Sequence, residues 1–242
     1  MTALAHAIRS AGAPVTNGEL QELVEDCPVL YHMAARGSWP SIQEHGLLST
    51  TALLDLFEIA GEAREAIESQ RRREMAILVH PAFGKAVIRD QKPMDDRALQ
   101  RCLSDGLTPR DWYELLNGRV FFWLTRSRLH RLLSAGPYRD DEHDVLELDT
   151  ASVVRDYRDR ITLAPINTGS TRRRPAVRGR TTIAGIDAYP YAEWRVRRSR
   201  GERVVELAVA PGIPDAIRYT RRVVAMQAGE EKQVLWQNPA FG

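Results

Sequence analysis

The chain has 242 residues, 43% hydrophobic and 27% charged, with a net charge of +2, which is enough apolar sequence for one sizeable core and too much for a disordered chain. No run approaches the roughly 18 uninterrupted apolar residues of a membrane helix, and residues 1–14 lack the apolar stretch of a secretory signal. A cytoplasmic protein without membrane attachment is expected, and Cys27 and Cys102 stand too far apart for a disulfide framework or a CxxC metal site, so no metal is expected either.

In chain order, residues 1–28 read as a helical start carrying Glu19, Glu22, Glu25 and Asp26. Leu30 to Met33 is strand-like. Pro40 near its start and Gly46 at its end bracket a short helix around Ile42 and His45. Thr50 or Thr51 caps a stretch running past Leu53, Leu54 and Phe57, broken near Gly61. Thr108, Pro109 and Asp111 supply a cap, a first-turn proline and a first-turn acid, and Asn117-Gly118 stops that helix. Thr125 and Gly136 bracket another, with Leu129, Leu132 and Leu133 on its buried side.

Strands are expected at Ala76 to His80, Arg119 to Trp123, Val145 to Asp149 and Ile161 to Ala164. Residues 168–200, rich in Gly, Ser, Thr, Pro and Arg, read as one long irregular segment. The chain closes with Arg203 to Ala210, Arg222 to Gln227 and a returning arm at Lys232 to Gln237. Helices mostly early and strands late point to an α+β fold in a single domain, 1–242, with a core at 29–167, the arginine-rich loop at 168–200 and closing strands at 201–242. No glycine-rich strand-to-helix turn marks a dinucleotide or P-loop site.

Charge is unevenly spread. Nine arginines stand between Arg172 and Arg200 against only Asp187 and Glu193. The planar guanidinium suits bidentate phosphate contact, although a solvated loop explains the same composition. The run Asp140, Asp141, Glu142, His143, Asp144 reads as a solvated turn before a strand, because adjacent side chains cannot all converge on a metal.

Three places could carry chemistry. His32, beside Tyr31 on a short strand, could donate to a ribose hydroxyl or could be a half-buried histidine with a backbone partner. Arg89 leaves an apolar stretch, and Val120-Phe121-Phe122-Trp123 could offer the stacking face that a dinucleotide needs beside its diphosphate; a surface ion pair and core aromatics are the other reading. Glu206 is a lone carboxylate in Val204-Val205-Glu206-Leu207-Ala208-Val209, where a charge is unfavourable unless paired or used; on an edge strand it would face solvent.

In this order the patterns resemble the bacterial DNA-targeting ADP-ribosyltransferase toxins, the DarT family. The likeness lies in Tyr31-His32, the stretch from Trp39 to His45, Gly46-Leu47-Leu48-Ser49, Arg89, Val120 to Trp123, and Glu206 in its apolar strand before Gly212-Ile213-Pro214. It departs from that family at Ala34 and Ala35 and in a longer stretch from Leu124 to Tyr191. The resemblance implies an ADP-ribosyltransferase-like split antiparallel sheet and NAD as co-substrate. Glu206 and Arg89 would be catalytic, and Tyr31, His32, Ser41, Leu48, Ser49, Arg89 and Phe122 would hold NAD. A nucleic acid or nucleotide would be the acceptor, bound by Arg172, Arg173, Arg174, Arg178, Tyr191 and Trp194, and an antitoxin or a reversing hydrolase would be a partner. Transfer to protein, hydrolysis of NAD, and plain nucleic-acid or partner binding without catalysis are the alternatives.

Overall fold

The computed structural model of the chain describes residues 15–241, so part of the expected helical start lies outside the described residues. Helix α1 (Asn17–Asp26) begins at a capping box between Thr16 and Glu19 and leads into strand β1 (Val29–Ala35). Then come α2 (Trp39–His45), β2 (Leu47–Leu48), α3 (Thr50–Leu56) and α4 (Gly61–Glu68), followed by the hairpin β3 (Ala76–His80) and β4 (Gly84–Ile88). Helices α5 (Asp96–Cys102) and α6 (Pro109–Asn117) precede β5 (Val120–Trp123), α7 (Arg126–Leu133), β6 (Glu142–Asp149), α8 (Thr150–Tyr157) and β7 (Ile161–Ala164). The chain ends with β8 (Ala184–Gly185), α9 (Tyr191–Arg197), β9 (Glu206–Val209), β10 (Gly212–Ile213), α10 (Ala216–Tyr219), β11 (Thr220–Gln227) and β12 (Glu230–Gln237).

The fold is α+β. Eight strands form one antiparallel sheet in the order β12-β11-β6-β1-β5-β9-β7-β8, and β10-β2 and β3-β4 form two small sheets beside it. One face of the large sheet packs on the main core, which includes Leu30, Phe122, Leu146 and Leu207. The other holds Val145, Val224 and Met226 against Leu129 and Leu133 of α7. Coverage on both faces explains β6. Burial there extends over His143 and Asp144, so the acidic run divides: Asp140 and Asp141 are an exposed turn before the strand, as expected, whereas His143 and Asp144 lie in its buried start. Asp144 accepts the Trp39 N–H at 3.0 Å and the Arg36 guanidinium at 3.0 Å.

Local chemistry sets most boundaries where the sequence places them. Thr108 and Asp111 form the capping box of α6, and Thr125 caps α7. The cap of α3 is Ser49, not Thr50 or Thr51. Gly46 ends α2 at φ +88°, where a Cβ would stand 2.4 Å from the Pro214 carbonyl oxygen. Only glycine lets this turn press against the segment after β10. The largest departure lies in 168–200, which is not irregular throughout: it carries β8 and α9 and buries Ile186, Tyr189 and Tyr191 in the main core. Among the described residues no helix is long and apolar enough to cross a membrane.

Candidate active site

The register of β1 with β5 is limited to Tyr31 opposite Trp123. Beside that pair the His32 side chain takes the place of a ladder bond, its Nδ1 lying 2.9 Å from the Phe121 carbonyl oxygen. A carbonyl only accepts, so Nδ1 carries the proton. Burial, helped by the nearby Arg89 charge, holds the imidazole near 4 against the opposing pull of the Phe121 bond. The ring is therefore neutral at pH 7 and its Nε2 is an acceptor. His32 would thus accept a hydrogen bond from a ligand hydroxyl, the reverse of the donation expected from sequence.

A cleft of about 320 Å³ opens here, lined by His32, Ser41, Leu48, Ser49, Arg89, Phe121, Trp123, Thr168 and Glu206 among others. Glu206 heads β9, opposite Trp123 on one side and Ala164 on the other, and is 5% exposed. Its Oε2 accepts the Thr168 N–H at 3.0 Å and the Thr168 hydroxyl at 2.6 Å. Oε1 takes no hydrogen bond from the described residues and is not sealed in. Burial pushes the carboxyl up to about 7, against the Thr168 donors and the positive charges of Arg178 and Arg128. A carboxylate poised near neutrality with one oxygen anchored and the other open is suited to proton transfer and to stabilising nearby positive charge.

Thr168 is the residue that sequence reasoning missed. Its carbonyl receives Arg178 Nη1 at 2.9 Å and the Trp112 indole N–H at 3.3 Å, so two buried side chains hold the loop that holds Glu206. Nothing local in Asn167-Thr168-Gly169 announces this role. It appears only when Ile161–Ala164 pairs beside Glu206–Val209.

Three guanidinium groups line the cleft. Arg72 is spent on structure: it donates to the Arg89 carbonyl at 3.0 Å, to Asn117 Oδ1 at 3.0 Å and to the Ile67 carbonyl. Arg119 donates to the Leu115 carbonyl at 2.6 Å and leaves its buried Nε without a partner. Arg89 lies 5.0 Å from the centre of the Tyr138 ring, with Nη1 2.9 Å from His143 Nδ1, and its buried Nε also lacks a partner. Of the two aromatic residues expected at the cofactor, neither lines the cleft. Phe122 is 1% exposed and packs in the core behind His32, and Tyr31 packs with Met33 and Trp123 against α7. Strand alternation presents Phe121 and Trp123 instead.

The expected acceptor residues divide. Arg172, Arg173 and Arg174 are exposed and follow directly on Thr171, which is tied to the Pro93 carbonyl at 3.1 Å and the Asp95 N–H at 2.8 Å, at the edge of the cleft. Arg178 is 2% exposed and is a brace for Thr168, not a surface contact. Tyr191 is 3% exposed, and Trp194 is partly buried with Arg198 4.3 Å from its ring centre, so neither offers a face for a base.

A family described as "Family of unknown function (DUF7002)" matches residues 28–220. No curated protein matches the sequence. Among solved structures the chain is similar to a buried-residue mutant of the E. coli heat-labile enterotoxin, at 10% identity and a TM-score of 0.35 over 88% of this chain and 76% of that one. A likeness of that degree decides nothing about chemistry.

Proposed function

Because the chain belongs to the DUF7002 family, whose function is unknown, we propose its activity from its own cleft: transfer of ADP-ribose from NAD to an acceptor carrying phosphate, a nucleic acid or nucleotide, with release of nicotinamide. The observation that carries this reading is the buried Glu206 carboxyl with one oxygen open to a cleft that also presents a neutral imidazole acceptor and an under-satisfied arginine. The likeness of the Tyr31-His32, Arg89 and Glu206 segments to the DNA-targeting ADP-ribosyltransferases supports it.

In this reading the bond between the ribose carbon and the pyridinium nitrogen breaks with its electron pair going to nitrogen, which leaves as neutral nicotinamide. Glu206, ionised, stabilises the positive charge that grows on the ribose carbon, as carboxylates do in glycoside hydrolysis. The acceptor forms the new bond to that carbon and gives its proton to Glu206 Oε1. His32 Nε2 accepts a ribose hydroxyl, Arg89 contacts the diphosphate, and Phe121 and Trp123 supply flat apolar faces. Ser41, Leu48 and Ser49 would complete the wall. Arg172, Arg173 and Arg174 would meet acceptor phosphates at the rim, with the salt dependence such contacts bring.

The test is nicotinamide release from NAD with and without DNA, RNA or nucleotides, for the wild type and Glu206→Gln. Release that the substitution lowers about a thousandfold supports the reading, in the range seen when one charge-stabilising group is lost. Label transfer to nucleic acid separates the favoured acceptor from protein or water. Absence of release under every condition rejects the enzyme and leaves a phosphate-binding domain.

A further inference from the structure

We infer that Arg89 is a diphosphate-binding group held ready by a cradle of His143, Tyr138 and Asp90, and that His143 is the positioning residue through which acid switches this site off. The inference rests on the proposed NAD reading and adds its regulation.

The tautomer of His143 is fixed by its partners. Nε2 lies 2.9 Å from the Tyr138 carbonyl oxygen and must donate, so Nδ1 is the lone pair that receives Arg89 Nη1 at 2.9 Å. The Tyr138 ring lies against the same guanidinium, 5.0 Å away, and its hydroxyl donates to Asp90 Oδ1 at 2.7 Å. Asp90 Oδ2 stands 3.8 Å from Arg89 Nη2. One guanidinium is thus gripped by an acceptor nitrogen, an aromatic face and a carboxylate, while its buried Nε has no partner. Arg72 beside it, by contrast, spends all three of its nitrogens on the Arg89 and Ile67 carbonyls and Asn117. The position of Arg89 on the cleft wall, 19% exposed and with no carboxylate among the described residues closer than the 3.8 Å of Asp90, points to a ligand with several acceptor oxygens.

The grip depends on charge. A protonated His143 carries hydrogen on both nitrogens, so Nδ1–H would face Arg89 N–H and the contact must open. Burial and the Arg89 charge hold the imidazole below its ordinary value, opposed by the Tyr138 bond and by Asp141 and Asp90. The charged or titratable groups facing it are Arg89 and Asp90 from the segment after β4, Tyr138 and Asp141 from the turn before β6, and Glu142 and Asp144 as chain neighbours. The register partners on β1 and β11 are Ala35 and Met226, which do not titrate. Protonation also adds a positive charge behind the site, which favours anions at a distance. Loss of a fixed guanidinium orientation is the larger effect, because bidentate contact needs direction and exposed charge is screened.

ADP-ribose is the probe, since it has no bond to cleave and its diesterified diphosphate stays ionised throughout the window. In a Glu206→Gln background, which removes the carboxyl that titrates near 7 in the same cleft, calorimetric affinity should fall roughly tenfold as pH drops from about 8 to about 5, while adding His143→Gln, which keeps one acceptor and one donor but cannot charge, should give a flat profile. His143→Leu should raise KM for NAD roughly tenfold with kcat little changed. Independently of any ligand, nitrogen NMR should find His143 neutral with the proton on Nε2, and Arg89→Met should raise its pKa. If the wild type binds ADP-ribose but His143→Leu matches it in affinity and pH profile, or if NMR finds the Nδ1-protonated form, the cradle is wrong and the NAD reading stands. If the wild type neither binds ADP-ribose nor releases nicotinamide, both fall together.

Discussion

The cleft and the arginine-rich segment are both built from charged residues, yet the protein treats them in opposite ways. Along 168–200 most of the charge is consumed. Arg195 pairs with Glu22 at 2.5 Å, Arg200 with Asp26 at 2.6 Å and Arg197 with Glu193 at 3.9 Å, so the acidic face of α1 neutralises much of the basic run. Arg198 donates to the Pro165 carbonyl at 2.7 Å and Arg178 to that of Thr168 at 2.9 Å. In the cleft, by contrast, few charges are present and several are left under-satisfied: Glu206 Oε1, Arg89 Nε and Arg119 Nε. Density of charge in the sequence marks where the chain ties itself together; buried atoms without partners occur there too, at Asp26 Oδ2 and Arg203 Nε, so what sets the cleft apart is the open Glu206 Oε1.

Glu206→Gln breaks this contrast most sharply, because it should act in opposite directions on activity and stability. Beyond the loss of about a thousandfold in turnover, it removes a buried carboxylate whose ionisation the fold resists. The unfolded carboxyl ionises near 4.5 and the folded one near 7. Below 4.5 both states hold the proton and the fold bears no penalty; from there to about 7 the unfolded state releases it first and stability declines; above 7 the whole penalty is present. The variant should therefore be more stable than the wild type at pH 8, by up to about 3 kcal/mol, and equal to it near pH 4 in denaturant titrations. The same ionisation should make wild-type kcat/KM rise through about pH 7. A stability gain as large at pH 4 as at pH 8 would show that Glu206 is not the strained group.

Arg178→Met comes next. It leaves the Ala176 and Thr168 carbonyls without this donor in a buried place and loosens the loop that anchors Glu206. Chemical denaturation should show a loss of about 3 kcal/mol, of the size seen for unmet buried polar groups with imperfect repacking. Turnover at a temperature where the variant is folded should fall with it. A variant as stable as the wild type would place Arg178 among the surface arginines after all.

How far the sequence discloses this follows from the same contrast. Helix limits at Thr108, Thr125 and Gly46 are legible because capping is a contact between residues three or four apart. Glu206 and Arg89 are legible as oddities, a carboxylate in an apolar strand and an arginine ending another. Which aromatic faces the cleft is not legible: Phe121 and Phe122 differ only by which face of the sheet is opened, and that is decided by where β1 parts from β5. Thr168 holds Glu206 from 38 residues away, His143 meets Arg89 across 54 and Tyr138 meets Asp90 across 48, so no local pattern carries them. The reading of Tyr191 and Trp194 as exposed stacking residues failed for the same reason, since α1, far away in sequence, covers the segment's basic side.

Arg172, Arg173 and Arg174 test a part of the basic segment that has no ion pair among the described residues. Replacing all three by alanine should leave the unfolding midpoint unchanged and weaken oligonucleotide binding about tenfold at low salt, with a salt slope shallower by up to about 3 because each lost phosphate contact removes one released counterion. Binding that keeps both its strength and its slope would move the acceptor elsewhere on the surface.

The smallest effect belongs to the consumed charges. Arg195→Ala breaks a pair in which Arg195 is 43% exposed and Glu22 22% exposed, and Glu22 keeps Arg203 as a second partner. Screening by water and salt should hold the loss to at most about 1 kcal/mol, and oligonucleotide affinity should not change, since this guanidinium is turned toward α1 and away from any ligand. Paired with the triple substitution at 172–174, the measurement asks whether position along the sequence or pairing in the fold decides what an arginine does. Equal losses of affinity at the two places would mean that the whole segment binds as a diffuse basic surface, and that the ion pairs with α1 open when the ligand arrives.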